Sequence, residues 1–249
     1  MINKQNILYT VTAALMVGQL TPVNADEQTL STLGCMLAPS ERVQVSSPVS
    51  GVLDKVLVRR GDSIKRGDRL FQLKAGVERE GVKLAKVRTE FAQRKALRNK
   101  DLYDQDILTA HERDEIETEL LIAKSELRLK EQELALRKIS SPINGVVVNR
   151  FYSKGEYVGI DPIVSLATLD PLHVDLLLPS HYFGQILLKQ QLMIKPDSEG
   201  IEARSAKVII VDPLIDSASS TFRVQLLMSN PSNKIPAGIR CSAQVISKS

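Results

Sequence analysis

One motif written twice, 94 positions apart, limits what this chain can fold into more than any other feature. Residues 46–62 read SSPVSGVLDKVLVRRGD and residues 140–156 read SSPINGVVVNRFYSKGE. Ser46, Ser47, Pro48, Gly51, Val52 and Gly61 recur as Ser140, Ser141, Pro142, Gly145, Val146 and Gly155. In each copy short apolar/polar alternations are broken by turns, the pattern of half-buried strands. Gly51 and Gly61, and Gly145 and Gly155 after them, read as turn glycines free to take positive φ. The second copy slips by one residue near its end, where IVSLATL stands for LFQLKAG. A copy alone offers three or four strands with one apolar face, too little to bury by itself. Two copies packed face to face solve that problem, so the spacing predicts a pseudo-twofold β-sandwich.

The residues between the copies obey another rule. From 77 to 138 there is no proline, and glycine occurs only at 81. Leu120, Leu127 and Leu134 recur every seven residues, as do Ile122, Leu129 and Leu136, which predicts paired helices. In the first arm Leu84, Val87 and Phe91 stand beside Ala85, Ala92 and Ala96. The break falls in LYDQDILTAHE, where Thr109 with Glu112 three residues on makes a capping box that starts the second helix. Residues 77–103 hold eight Lys/Arg against four Asp/Glu; residues 104–138 hold six against ten. Two oppositely charged helices, each roughly 40–45 Å long at 1.5 Å per residue, therefore attract one another as an antiparallel hairpin.

After Leu169 the pattern returns to short strands separated by Pro, Gly, Asn and Ser, which predicts a small antiparallel barrel. SHYFGQILLKQ reads as a short helix across one of its ends. The segment around Leu33–Val43 is expected to add a strand and bring Cys35 near Cys241. At the other extreme, residues 1–25 carry Lys4, an apolar run from Ile7 to Val17 and a final VNA, the pattern of a cleaved secretory signal peptide. An uncleaved anchor is the competing reading. Export places the two cysteines in an oxidising compartment, where a Cys35–Cys241 disulfide competes with two unpaired buried thiols. Aromatic content of 4% with no Trp argues against a base-stacking nucleic-acid platform, and no dense basic block accompanies the net charge of +4.

The strings SPVSGVLDKVLVRRGDSIKRGDRLFQL, ISSPINGVVVNRFYSKGEYVG, LDPLHVDLLLP and VDPLIDSASSTFRVQLLMSNPSNKIPAGIRCSAQV stand in order, with a heptad hairpin between the first two. Together they resemble the periplasmic adaptor subunits, or membrane fusion proteins (HlyD-type), of tripartite efflux and secretion systems. The resemblance covers residues 30–246. It implies a mainly β fold in which a lipoyl-like, barrel-sandwich hybrid domain (44–75 and 139–168) is split by an α-helical hairpin (77–138), beside a β-barrel domain (30–43 and 169–246). It implies a non-catalytic periplasmic adaptor without cofactors, linking an inner-membrane export transporter to a TolC-like outer-membrane channel for efflux of small molecules. The transporter would be of the resistance-nodulation-division or ABC type, and the adaptor a self-associating, commonly hexameric funnel. Family members that dock a TolC-like channel carry Arg, then Leu four residues on, then Ser seven further, at the hairpin tip. Arg98, Leu102 and Thr109 match that spacing, with Thr replacing Ser. The membrane-proximal domain of many adaptors is expected to be missing or minimal here, which leaves the barrel face as the expected transporter contact.

Other chemistry is sparse. Lipoyl and biotin carriers share the sandwich and present a modified lysine on the turn between halves; Lys74 lies near that junction, but the turn has become a hairpin. His111, His173 and His181 have no ligand spacing, and His173 reads as a packing residue. Asp212, Asp216 and Glu199 are separated acids on turns. No nucleophile elbow or phosphate-binding loop is present. The reading from another class is a soluble periplasmic binding or chaperone protein that delivers a ligand to an export pump.

Overall fold

The computed structural model describes residues 30–105 and 107–245; the leader read at 1–25 lies outside them. Strand β1 (Gly34–Val45) leads into β2 (Gly51–Val56), β3 (Ser63–Ile64) and β4 (Arg69–Leu73). Helices α1 (Gly76–Asp104) and α2 (Ala110–Ala135) follow. The chain returns as β5 (Lys138–Ser140), β6 (Gly145–Arg150), β7 (Tyr157–Val158) and the long β8 (Val164–Pro179). Strands β9 (Gln191–Pro196), β10 (Arg204–Val211), β11 (Thr221–Met228) and β12 (Cys241–Val245) complete it.

The two copies of the motif exchange strands. β2 pairs with β7, matching Gly51 to Val158 and Val52 to Tyr157. β6 pairs with β3, matching Gly145 to Ile64 and Val146 to Ser63. A shift of 94 residues converts one register into the other. Single hydrogen bonds repeat as well: the Leu53 N–H donates to the Glu156 carbonyl and the Val147 N–H to the Asp62 carbonyl, both at 2.9 Å. Ser47 and Ser141 each donate a hydroxyl proton to the carbonyl two residues on, fixing the same turn in both halves. The one-residue slip is visible as a register difference. Leu53 faces Leu73, whereas its counterpart Val147 faces Leu166, one short of the shifted position.

Each half supplies one side of a shared core. Leu53, Leu70 and Phe71 from the first pack with Val147, Val158 and Leu166 from the second, and all six are buried. Burying a side chain of this size contributes about 1.5–3 kcal/mol, a gain that neither half could collect alone.

The four motif glycines divide by cause, which corrects the reading of all four as positive-φ turns. Gly61 and Gly155 do take φ of 90° and 93°, with open space around them. Gly51 and Gly145 have ordinary φ and are needed for room. A Cβ on Gly145 would collide with the Ala167 carbonyl of β8, and one on Gly51 would stand 2.8 Å from Nη1 of Arg137.

Beyond the sandwich, β8 and β1 run on together and join a curled sheet in the order β12-β9-β10-β11-β8, with β1 also on β8. Its core holds Leu37, Leu172, Ile194, Phe222 and Leu226. The curl does not close as a continuous ladder. β1 meets the approach to β12 through one isolated bridge, Met36 to Arg240, and a few bonds such as Leu37 N–H to the Ile239 carbonyl at 2.9 Å. The turn at Ala237–Gly238 stands on that side of the seam, where the Gly238 N–H donates to the Leu37 carbonyl at 2.6 Å. The helix expected in SHYFGQILLKQ reduces to a single 3₁₀ turn, Ser180–Tyr182. Phe183 is extended and Gly184 takes φ of 84°, which ends it.

Candidate functional site at the helical hairpin

α1 and α2, of 29 and 26 residues, extend about 39–44 Å. Small residues form the seam between them: Ala85, Thr89, Ala92 and Ala123 are buried. The Thr89 hydroxyl lies 2.9 Å from the Ala85 carbonyl and 3.0 Å from that of Ala123, so its one proton can serve either helix. The opposite charges of the arms meet in Arg88–Glu126 (3.0 Å) and Lys95–Glu119 (2.6 Å). Of the two heptad series, Leu120, Leu127 and Leu134 lie half-buried, whereas Ile122, Leu129 and Leu136 are exposed. Two helices have one seam, and a narrow alanine seam covers one stripe on each. The second series was expected to pair and instead faces outward.

At the tip, Arg98 and Leu102 lie one turn apart on the same face of α1. Arg98 is exposed and meets no carboxylate among the described residues. Leu102 is 36% exposed, and its carbonyl accepts the Ile107 N–H at 3.0 Å, closing the loop. Thr109 sits across that loop as the N-cap of α2. Its hydroxyl accepts from the Glu112 N–H at 3.3 Å and donates to Glu112 Oε2 at 2.8 Å. The Glu112 carboxylate also accepts the Thr109 N–H at 2.9 Å, completing the capping box. These bonds from the Thr109 backbone and side chain, with His111 nearby, hold the Glu112 carboxyl below its ordinary pKa. No hydrogen bond joins Arg98, Leu102 and Thr109 to one another among the described residues. Just below the tip lies a groove of about 430 Å³ lined by Ala96, Leu97, Leu108, Ile116 and Leu120.

The remaining singled-out residues lie elsewhere. Cys35 and Cys241 are joined as a disulfide, Cα atoms 5.0 Å apart, at the open seam of the barrel. Lys74 is exposed between β4 and α1, with its N–H donated to the Val52 carbonyl. His173 is half-buried between Ala38 and Leu227 in the β-ladder. Asp216 caps its own turn, accepting from Ala218 and Ser219, bonds that lower its pKa. Among the described residues no three His, Cys, Asp or Glu side chains cluster as metal ligands. The sequence reading missed the root of the hairpin, where Arg137 pairs with Glu78 at 2.6 Å. No local signal could have joined residues 59 positions apart.

A sandwich split by a projecting helical hairpin and continued by a curled β-sheet defines an adaptor-like architecture, and comparison with known proteins agrees. The family model of the CzcB-like barrel-sandwich hybrid domain matches residues 41–167. The antibiotic efflux pump periplasmic linker protein ArpA of Pseudomonas putida is 27% identical over 135 residues, 53% of this chain and 36% of its own length. The multidrug resistance protein MdtE of Escherichia coli K12 is 25% identical over 260 residues, 92% of this chain and 67% of its own. A MacA–MexA chimera carrying the Pseudomonas aeruginosa MexA α-hairpin aligns with a TM-score of 0.75 at 20% identity, covering 89% of this chain and 80% of that one, a likeness of fold. This chain belongs to the membrane fusion, or periplasmic adaptor, protein family of efflux systems, and carries its CzcB-like barrel-sandwich hybrid domain. It spans about a third of ArpA's length and two thirds of MdtE's. No helix among the described residues is long and apolar enough to cross a membrane.

Proposed function

We propose that this chain is a non-catalytic adaptor of the periplasm, delivered there by cleavage of residues 1–25. It would link an inner-membrane export transporter, of the resistance-nodulation-division or ABC type, to a TolC-like outer-membrane channel and so support efflux of small molecules. The observation that carries this reading is the hairpin: an arm about 40 Å long whose root is built into the sandwich and whose tip presents an exposed arginine that meets no carboxylate among the described residues. The sandwich halves 44–75 and 139–168 form the base, residues 77–138 the arm, and 30–43 with 169–246 the part that meets the transporter.

At the tip, Arg98 offers a planar donor fork to carbonyls or carboxylates of the channel, and Leu102 fills a groove between its helices. Thr109 contributes by holding the start of α2, since its hydroxyl is already engaged in the cap. The basic α1 and acidic α2 face opposite neighbours, so α1 of one copy attracts α2 of the next. The exposed Val87, Phe91 and Ile122 line a groove along the arm that such a contact would cover. A head-to-tail contact of this kind closes into a ring, six-fold by resemblance to the family. Arg98→Asp tests the tip: export should be lost while the protein still folds and is secreted. Undiminished export in that variant would remove the tip assignment.

A further inference from the structure

Arg137 occupies the point where α2 ends and the chain re-enters the sandwich. Its guanidinium reaches two separate parts of the molecule. One amino group, Nη2, lies 2.6 Å from Glu78 Oε1, in the first turn of α1. The other, Nη1, donates to the Ser50 carbonyl at 2.9 Å, immediately before β2. Its own carbonyl accepts the Leu73 N–H at 2.8 Å, which ties the same residue to the end of β4. A single planar fork therefore joins both helices to the first half of the sandwich.

Two further features mark this contact as different from the surface pairs. The Arg137 and Glu78 side chains are 22% and 17% exposed, better covered than the hairpin's own Arg88–Glu126 and Lys95–Glu119 pairs. The neighbouring Gly51 has ordinary φ, yet a Cβ there would stand 2.8 Å from Nη1. The absence of a side chain at position 51 leaves the space in which the fork lies.

We propose that Arg137 is the positioning residue that fixes the angle at which the hairpin leaves the sandwich, by clasping Glu78 and the Ser50 carbonyl in one fork. Its bearing on export rests on the adaptor reading; the geometry does not. On an arm roughly 40 Å long, a tilt of about 10° at the root carries the tip about 7 Å, more than any hydrogen bond or apolar contact there would tolerate. Aiming the tip thus depends on the root more than on the length of the arm. Lysine replaces the clasp only in part, because one rotating ammonium lacks the fixed planar geometry of the fork.

The test is a distance measurement between spin labels on the purified full chain, at Lys100→Cys near the tip and Glu199→Cys between β9 and β10. The native cysteines are bonded to each other and take no label. The parent should give one narrow distance distribution. Arg137→Gln should broaden it with the circular dichroism spectrum unchanged, and Arg137→Lys should fall between the two. Gly51→Ala should also broaden it, since the added methyl displaces the movable end of Arg137 and no backbone. Combining Gly51→Ala with Arg137→Gln should add nothing further. A parental distribution in either folded single variant overturns the proposal, and if Arg137→Gln does not fold, Gly51→Ala decides alone. The measurement needs no transporter or channel, so failure of the adaptor reading would leave its outcome untouched.

Discussion

The Thr109 hydroxyl is committed to the helix it starts. Thr109→Ala should therefore cost about 1 kcal/mol of hairpin stability, whereas Thr109→Ser should keep the cap; thermal melts of the two variants check this. The cap is also pH-sensitive. Folding lowers the Glu112 pKa, so its contribution is present above the ordinary glutamate value and is lost as pH falls from there through the lowered one. Amide protection over the first turn of α2, taken relative to the intrinsic exchange rate at each pH, should fall across that acidic interval in the parent and change less in Thr109→Ala. Gly145→Ala should cost about 1–3 kcal/mol, the usual range for overpacking, because β8 backbone stands where the methyl would go. A denaturant midpoint near that of the parent would show that β6 can move off β8. The capping box was legible because it is spelled out within four residues. The reason for glycine at 51 and 145 was not: each is set by a neighbour more than twenty residues away, so the sequence pattern recorded the glycines and misassigned their cause.

For the hairpin as an element, close approach of the helices is the controlling quantity. Ala92 and Ala123 are small enough to let α1 and α2 meet, and Thr89 bridges them. Ala92→Leu should force the helices apart and lower stability by about 1–3 kcal/mol, read as an earlier helical unfolding transition. An unchanged transition would mean that the seam has slack. The two arms, their break and their mutual attraction could be read from composition, charge and the lone capping box. Which heptad series faces inward could not, because both series satisfy the same period. The choice depends on the rotation of one helix about its axis, which the alanines of the partner decide. The exposed Ile122, Leu129 and Leu136 are then available to a neighbour, as the side-by-side assembly proposed above requires.

Across the whole molecule, the repeat at 94 residues foretold a sandwich with one shared core, and its one-residue slip reappears in the register, because the two halves must solve one packing problem together. The exchange of strands between the halves was not foretold. The open seam of the curled sheet was beyond sequence reasoning, since it reflects which turn falls opposite β1. The Cys35–Cys241 bond spans that seam across 206 residues of sequence. On a chain-entropy estimate, closing so long a loop stabilises by up to about 5 kcal/mol. Thiol titration of protein isolated without reductant should find neither cysteine reactive, and reaction at both would withdraw the bond. The proposed contact between the tip of this arm and an outer-membrane channel can be tested by photo-crosslinking in the cell from a reactive residue at position 102. Mass spectrometry should identify the adduct as a TolC-like channel protein. Adducts with copies of this chain alone, or none from protein that is exported normally, would contradict it, the latter in favour of a soluble ligand-delivering protein.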